Sequence, residues 1–390
     1  MNIVVNTQLL QYGKLDGIGW FTYETLTRIT RNHPEHNFIL VFDRKPSKIL
    51  SFPDNTQMVV LYPQSRHPFL WLLRFEILMP LLLRRYKADV FLSPDGWMTT
   101  FTSVPCVQVI HDLNFVHIPA DIPFWTRLYY NFFFPRHARK AKRIATVSEY
   151  SRQDIIKTYR IPEAKIDVMH NGCNERYKPV VPSMYNSIRR KYSSGRPYFI
   201  FVGALIPRKN IARIFLAFNM FKKTDDQNTQ LLIVGDKKWW TPQINEAWNK
   251  IECRNDIIFL GRRGVDELNQ LYGGSLALVF PALFEGFGIP ILEAFHSETA
   301  VITSNVSSMP EVAGDASLLV NPLDVDEITD AMQQISTSPE LRKRLIERGR
   351  ERRRLFSWDI TAEKLWQSVE SVLEEHYPEK FDKEKLSLQE

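Results

Sequence analysis

Two glutamates and two glycines stand close together in Phe284–Glu293, a stretch suited to holding a polar ligand. An apolar, strand-like run, Leu276–Phe280, precedes it, and a helical pattern begins near Pro290. The glycines let a ligand approach the main chain, because glycine accepts backbone conformations that other residues avoid. The helix N-terminus behind them offers unpaired N–H groups and a positive dipole end to hydroxyls or anions. The alternative is an ordinary strand–turn–helix joint with two solvated glutamates.

Two further motifs follow predicted strands in the first half of the sequence. In Asp16-Gly17-Ile18-Gly19 the glycines give phosphate oxygens access to main-chain N–H groups; a flexible turn is the alternative. His111-Asp112 ends another strand, and a histidine, whose ordinary pKa is near neutrality, suits proton chemistry or a hydroxyl contact. The alternative for His111 is a hydrogen bond within its own loop.

The second half contains two more such motifs. Gly203 ends a predicted strand and leads to Arg208 and Lys209 at the start of a helical pattern, where a diphosphate would meet two cations and a helix dipole. A solvated basic pair is the alternative. Ser307–Glu311 follows the strand Val301–Thr303 and either adds backbone donors to the same pocket or is simply a helix start with an early proline.

An Asp-x-Asp pattern at Asp324-Val325-Asp326 has the form that some transferases use to hold a metal ion. Here it precedes Glu327, and Asp324 with Glu327 at the third helical position is typical of a capped helix start. We therefore predict an N-cap at Asp324 and no metal site.

The composition is that of a globular protein with an anionic partner. A chain of 390 residues exceeds one ordinary core and predicts two domains. The net charge of +6 favours a nucleotide, a nucleic acid or a membrane surface as partner, although no nucleic-acid-binding motif is present. Three scattered cysteines, no basic leader and no long apolar span predict a cytoplasmic protein.

The fold class follows from the order of the elements. Short apolar runs alternate with helical patterns from end to end, which is typical of parallel sheets covered by helices on both faces. Lys178–Arg196 is polar, contains two prolines and shows no clear apolar period, so we interpret it as a linker. We predict two doubly wound, Rossmann-like domains at residues 1–182 and 195–356, facing an inter-domain cleft that takes the ligand at their strand ends. An amphipathic helix within 357–380 completes the chain.

In this order the motifs resemble family 4 of the glycosyltransferases, retaining enzymes with the two-domain GT-B fold. The resemblance spans nearly the whole chain, and its motifs are Asp16–Gly19, His111-Asp112, Val147–Ser151, Asn171-Gly172, Arg208–Asn210, Glu285–Glu293 and Ser308–Gly314. It implies that the helix within 357–380 returns to the first domain. It also implies transfer of a hexose from a nucleotide sugar to a glycan or lipid-linked acceptor.

The resemblance assigns a role to each motif. Glu285 would hold a hydroxyl of the donor sugar with the backbone of Gly286, Phe287, Gly288 and Ile289, and Glu293 would bind both ribose hydroxyls. Arg208 and Lys209, next to Gly203, would neutralise the diphosphate, so that no metal or other cofactor is needed. Gly17 and Gly19 would leave room for phosphates and acceptor, and His111, beside Asp112, would contact the transferred sugar.

The sequence departs from the family pattern at Ala204, where many members have an arginine, which leaves more of the phosphate charge to Arg208 and Lys209. No side chain is an evident nucleophile. The resemblance therefore favours a front-face route, in which the leaving phosphate helps to deprotonate the acceptor. It also makes GDP-mannose the first choice of donor. A non-catalytic scaffold of the same fold and a nucleotide-sugar epimerase are the alternative functions.

Two aromatic and basic segments of the first domain, within 71–87 and 124–143, predict docking on an anionic membrane, where a lipid-linked acceptor would lie. Such docking would place the protein at the inner face of the cell membrane and make it cosediment with anionic vesicles at low salt. The alternative is that the apolar residues belong to the core and the basic ones to a solvated face.

Overall fold

A computed structural model describes residues 1–11, 15, 17–46, 50–64, 67–119, 122–237 and 240–380. The chain divides into two compact units. Unit 1 comprises Met1–Asn171 together with the segment from Ser357 onward, and unit 2 comprises Gly172–Phe356. Each unit is built on its own parallel sheet, so the predicted class of two Rossmann-like domains is confirmed.

In the described part of unit 1, seven strands form a parallel sheet in the order β3-β2-β1-β4-β5-β6-β7. The strands are β1 (Asn2–Asn6), β2 (Asn37–Phe42), β3 (Thr56–Val60), β4 (Val90–Ser93), β5 (Cys106–Val109), β6 (Arg143–Thr146) and β7 (Ile166–Val168). Every residue of β4 and β5 is buried, as expected for strands with helices on both faces.

In the described part of unit 2, six parallel strands lie in the order β10-β9-β8-β11-β12-β13. They are β8 (Tyr198–Val202), β9 (Gln230–Val234), β10 (Ile257–Gly261), β11 (Ala277–Phe280), β12 (Ala300–Ser304) and β13 (Leu318–Val320). The order reverses direction at β8, since β9 pairs with one side of β8 and β11 with the other. In such sheets ligands bind beyond the carboxyl ends of the two strands that flank the reversal.

The helices of unit 1 before the chain enters unit 2 are α1 (Gly17–Asn32), α2 (Pro68–Leu72), α3 (Met79–Arg85), α4 (Asn114–His117), α5 (Phe124–Lys140) and α6 (Glu149–Tyr159). A π-helical segment, Leu73–Leu78, joins α2 to α3. Across the described residues, no helix is both long enough and apolar enough to span a bilayer.

The helices of unit 2 are α7 (Tyr185–Ser193), α8 (Ile211–Phe221), α9 (Pro242–Lys250), α10 (Val265–Gly274), α11 (Ile289–His296), α12 (Met309–Ala313), α13 (Val325–Thr337) and α14 (Pro339–Arg352). The interpretation of Lys178–Arg196 as a linker is wrong where α7 forms. Ile188 is its one buried large apolar residue, too little to give a visible period. It packs against Gly274, where an added Cβ would lie 2.6 Å from the Ile188 side chain.

Helix α15 (Trp358–His376), which follows unit 2 in the sequence, packs within unit 1. Its apolar face buries Trp358, Leu365, Trp366 and Val369, each at most 5% exposed. Asp359, in its first turn, accepts a hydrogen bond from Arg28 Nε of α1 at 2.6 Å. The Trp366 ring stacks on His33 with 4.0 Å between the ring centroids.

Candidate active site

The carboxyl ends of β8 and β11 bring together one carboxylate and two cations in unit 2. Arg208 and Lys209 follow β8, and Glu285 follows β11 on the other side of the strand-order reversal. Arg208 Nη1 donates to Glu285 Oε1 at 2.5 Å, and Lys209 Nζ forms an ion pair with the same oxygen. Three residues that the sequence predicted as ligand contacts therefore form one cluster.

This cluster is largely shielded from solvent, since Glu285 is 8% and Lys209 is 9% exposed. Burial by itself would raise the pKa of Glu285, but the positive charges of Arg208 and Lys209 outweigh burial and hold that pKa below the usual carboxyl value. Two cations against one ionised carboxylate leave a net positive charge. Such a site attracts an anion and retains a carboxylate for hydroxyl groups.

Serine and asparagine side chains hold the loops that carry the cluster. Ser308 Oγ donates to the carbonyl oxygens of Glu285 and Phe287 at 2.8 and 3.0 Å, which fixes the turn before α11. Asn210 Nδ2 donates to the carbonyl oxygens of Pro281 and Pro322 and so ties the loop after β8 to the loop after β11. The serine motif therefore fastens the glutamate loop through its side chain.

The turn Glu285–Gly288 leads directly into α11, as predicted. Gly288 has φ +104°, and a Cβ there would meet the Met309 side chain at 2.6 Å, so glycine is required on both counts. Ile289 and Pro290 open the helix, whose first-turn N–H groups lack intrahelical partners. Gly288 therefore stands directly before the first turn of α11, at the N-terminal end of the helix dipole.

Glu293 lies one turn into α11 and is held by tyrosine hydroxyls. Tyr272 on α10 is fully buried and donates to Glu293 Oε2 at 2.9 Å, and Tyr177 also hydrogen-bonds to Glu293. Burial raises the pKa of Glu293, while both tyrosine hydrogen bonds and the charge of Lys209 oppose that shift. Sequence reasoning missed both tyrosines because each is distant from Glu293 in sequence. Tyr272 reaches it from α10, and Tyr177 lies before α7.

Gly203, after β8, and Gly235, after β9, pack their backbones together. A Cβ on Gly235 would lie 1.8 Å from the carbonyl oxygen of Gly203. The amide of Gly203 in turn donates to the carbonyl of Val234 at 2.9 Å. This contact fixes the start of the loop that carries Arg208 and Lys209.

The predicted residues of unit 1 lie at the carboxyl edge of its own sheet. His111 Nε2 is 2.8 Å from the carbonyl oxygen of Pro94, and its ring meets Phe21 of α1 edge-on at 4.9 Å. Asp112 Oδ1 accepts from the amide of Asn114 at 3.0 Å and supports the start of α4. The contacts with Pro94 and Asn114 are local to the loops after β4 and β5, and the contact with Phe21 joins His111 to α1.

The glycine motif differs from the prediction in one respect. The apolar pattern after the glycines predicts a helix from Trp20 to Ile29, whereas helix α1 begins at Gly17, so Gly17 and Gly19 form its first turn. Glycine lowers helix propensity, and this is why the sequence placed the start three residues late. The first-turn N–H groups still point out of the helix end. Asp16 lies outside the described residues.

Asp95, after β4, is a further buried acid that sequence reasoning missed. Its Oδ1 accepts from Asn6 Nδ2 at 2.6 Å and from Ser93 Oγ at 3.1 Å. Burial raises the pKa of Asp95 to about 7, against the opposing effect of these hydrogen bonds. The signal in the sequence was its position, since Asp95 lies two residues after the apolar run Val90–Ser93 and directly after Pro94.

Among the described residues, one group brings metal-ligand atoms together: His33, Glu35 and His36, within 4.8 Å of one another. It lies between α1 and β2, at the amino edge of the sheet, whereas the candidate residues follow strand carboxyl ends.

Asp324 caps α13 by accepting from the amides of Asp326 and Glu327, so the predicted N-cap is confirmed.

Comparison with known proteins gives a consistent result over both units. The family model described as glycosyl transferases group 1 matches residues 186–352, and the model of glycosyltransferase family 4 matches residues 15–177. The O-antigen chain mannosyltransferase B of Escherichia coli is 28% identical over 92% of this chain and 97% of its own length.

The O-antigen chain mannosyltransferase RfbU of Salmonella typhimurium is 30% identical over 62% of this chain and 65% of its own. Among solved structures, the sucrose-phosphate synthase of Thermosynechococcus elongatus superposes with a TM-score of 0.75 at 18% identity, over 95% of this chain and 98% of that one. At this identity the likeness concerns the fold, and the GT-B class is confirmed.

Proposed function

Because the chain belongs to the group 1, family 4 glycosyltransferases, we propose that unit 2 binds the diphosphate and the sugar of a nucleotide-sugar donor at the Arg208–Glu285–Lys209 cluster. That cluster is the observation that carries the proposal. It offers a net positive charge to phosphate oxygens and a carboxylate to sugar hydroxyls. The chain is a glycosyltransferase, and this assignment disfavours the epimerase and the non-catalytic scaffold.

In the proposed reaction the bond between the anomeric carbon and the diphosphate oxygen breaks, and its electron pair leaves with the diphosphate. Arg208 and Lys209 stabilise the charge that develops there, which is the task that a metal ion performs in other transferases. The acceptor oxygen bonds the anomeric carbon on the same face, and its proton passes to the leaving phosphate. Glu285 orients the sugar, and Glu293 accepts from the ribose hydroxyls.

The donor and the pathway are inferred from the relatives. Two relatives are named as mannosyltransferases of O-antigen chains. We therefore propose mannose from GDP-mannose as the transferred sugar and a glycan or lipid-linked acceptor of the cell surface. His111 and Asp112 in unit 1, with the first turn of α1, are proposed to serve the transferred sugar and the acceptor.

Calorimetric titration with GDP and with UDP, each in the presence of EDTA, tests the proposal. We expect GDP to bind at least about tenfold more tightly than UDP, and chelation to leave its affinity unchanged. Tighter binding of UDP would overturn the choice of mannose. Loss of GDP binding on chelation would contradict the metal-independent site, and no binding of either nucleotide would contradict the donor class.

The tyrosine contacts of Glu293 give a second prediction. Tyr272→Phe removes a hydrogen bond that favours the ionised carboxylate, so the pKa of Glu293 rises further above the usual carboxyl value. Ribose hydroxyls donate to the ionised form. The loss of GDP affinity at acid pH is therefore expected to begin at a higher pH in the variant than in the wild type. Within that acid range the GDP affinity of the variant is expected to be about tenfold lower.

Tyr198→Phe is the matched control. Tyr198 is equally buried and its hydroxyl donates to the carbonyl of Leu271 at 2.8 Å, away from Glu293. This control is expected to cost stability and to leave the pH dependence unchanged. Identical pH profiles for the Tyr272 variant and the wild type would refute the role of Glu293 in ribose binding.

We also propose that unit 1 contacts an anionic membrane surface. Both readings of the aromatic and basic segments hold in part, because Trp71, Phe75 and Leu82 belong to the core. Other apolar residues of these segments are exposed, namely Leu72, Leu73, Ile77, Leu81, Phe124, Trp125, Leu128 and Phe132. Trp71 stacks on Tyr130 with ring centroids 5.7 Å apart, so the helical segment from α2 to α3 and helix α5 pack together. Exposed apolar side chains beside Arg84, Arg85, Arg136 and Lys140 suit the interface of an anionic bilayer.

A further inference from the structure

A groove of about 490 Å³ lies between α4, α5 and α6 in unit 1. One wall is a single row of α5 side chains, Arg127, Asn131, Pro135 and Arg139, spaced by four residues and therefore aligned along the helix. Since a helix rises about 1.5 Å per residue, this row spans about 18 Å. Phe115 of α4 and Tyr159 of α6 line the opposite side.

The two arginines give the groove an uncompensated positive charge. Within the described residues neither guanidinium forms an ion pair, and Arg127 lies 5.6 Å from the Phe124 ring centroid. Lys165 donates to the main-chain carbonyl of Arg139 at 2.7 Å and adds a third cation at that end. Asp154, one turn before Thr158 of the groove wall, accepts from Thr158 Oγ1 at 3.0 Å and contacts His117 at 2.8 Å.

The adjoining row of α5 is apolar and exposed. Phe124, Leu128 and Phe132 are each about half exposed, at 59%, 52% and 49%, and are also spaced by four residues. On a helix this row lies directly beside the arginine row. A ligand that suits both rows carries phosphate oxygens for the guanidinium groups and an apolar part for the neighbouring ridge.

From this juxtaposition we propose that the groove along α5 binds the phosphate of a lipid headgroup. The proposal rests on the membrane contact of unit 1 and specifies it further. Guanidinium groups recognise phosphate by paired hydrogen bonds, so Arg127 and Arg139 hold the headgroup while Phe124, Leu128 and Phe132 contact the acyl region. The groove is separate from the Arg208–Glu285–Lys209 cluster, which lies in unit 2.

The test is cosedimentation with phosphatidylcholine vesicles that contain phosphatidic acid. The double variant Arg127→Gln, Arg139→Gln is expected to lose about tenfold or more of its vesicle affinity. The matched control is Lys343→Gln, Arg344→Gln, which removes the same charge from exposed positions on α14 of unit 2. The control is expected to change affinity less than threefold. Equal losses in both double variants would overturn the groove and leave only a general charge effect.

Calorimetry with inorganic pyrophosphate separates the two sources of phosphate. Pyrophosphate binding that matches the vesicle affinity and is lost in the groove variant would overturn the lipid assignment in favour of a free phosphate ligand. GDP binding, measured in the same variant, is expected to equal that of the wild type. If the wild type binds vesicles through the groove but binds no nucleotide, only the donor proposal is contradicted. Failure of the groove proposal and failure of the donor proposal are therefore distinguishable.

Discussion

Glu285→Gln is expected to lower the turnover of sugar transfer by about a hundredfold to a thousandfold, the usual loss when one preorganised group at a reacting centre is removed. Glutamine keeps the size of the side chain but not its charge, so the hydroxyl contact weakens and Arg208 and Lys209 lose their shared counter-charge. Steady-state kinetics with the donor identified by calorimetry gives the readout. Turnover within threefold of wild type would refute the role of Glu285.

Glutamine is a better substitution than alanine at position 285. Glu285→Ala removes the whole side chain that pairs with both Arg208 and Lys209, whereas Glu285→Gln keeps its size. Removing one partner of a buried pair costs about 3–5 kcal/mol, and alanine loses in addition the side-chain oxygen that glutamine keeps as a hydrogen-bond acceptor. We therefore expect the alanine variant to melt well below the glutamine variant.

Glu298→Gln provides the control for charge removal. Glu298 pairs with Arg350 at 2.6 Å just beyond the end of α11, so the variant breaks an ion pair of the same unit outside the cluster. Its turnover is expected to equal that of the wild type.

The pH dependence of stability gives an independent measurement on Glu285. Its pKa is lower in the folded protein than in the unfolded chain, so the ion pairs contribute stability above the usual carboxyl pKa and lose it as pH falls through the lowered value. Glu285→Gln removes this contribution, and its melting temperature should approach that of the wild type at acid pH. A constant difference between the two proteins at every pH would contradict the assignment.

Gly235→Ala is expected to lower the stability of unit 2 markedly. The new Cβ would lie 1.8 Å from the carbonyl oxygen of Gly203, and φ at residue 235 is +150°, so the backbone must move at the end of β8 or β9. Overpacking of this kind costs about 3 kcal/mol, which lowers the melting temperature of a unit of this size by about 10 °C. The same shift displaces the loop to Arg208 and Lys209, so GDP binding is expected to weaken with it.

Gly264→Ala is the control, because it replaces a glycine by alanine at a position where the new Cβ makes no close contact. Gly264 precedes α10, and an added Cβ meets no atom within 4 Å there. Its melting temperature and GDP affinity are expected to stay close to the wild-type values. If both alanine variants melt at the same temperature, the close contact between Gly203 and Gly235 does not constrain the fold.

The strands were the part of the fold that the sequence predicted best. The predicted strands Leu276–Phe280 and Val301–Thr303 agree with β11 and β12 to within one residue at each end, because parallel strands covered on both faces need continuous apolar residues. Helix α7 was missed, since Ile188 alone gives no period. The start of α1 at Gly17 was missed because glycine propensity opposes a helix that the surrounding packing supports.

The candidate site could be predicted from the sequence to the extent that its residues follow strand ends. Arg208, Lys209 and Glu285 are far apart in sequence, and the rule that ligands bind at strand carboxyl ends was enough to group them. The rule does not predict which side chains contact one another. It therefore did not predict that Glu285 is shared by both cations, that Tyr272 holds Glu293, or that Ser308 fastens the Glu285 loop.

The position of α15 has a consequence for folding during synthesis. Unit 2 is one continuous stretch, whereas the core of unit 1 includes Trp358, Leu365 and Trp366 near the end of the chain. A growing chain therefore holds an incomplete unit 1, with apolar surface exposed, until α15 has left the ribosome, although unit 2 is complete by then. The first unit to be translated is in this sense the last to finish folding. A nascent chain truncated at Phe356 is expected to require a chaperone for its N-terminal half.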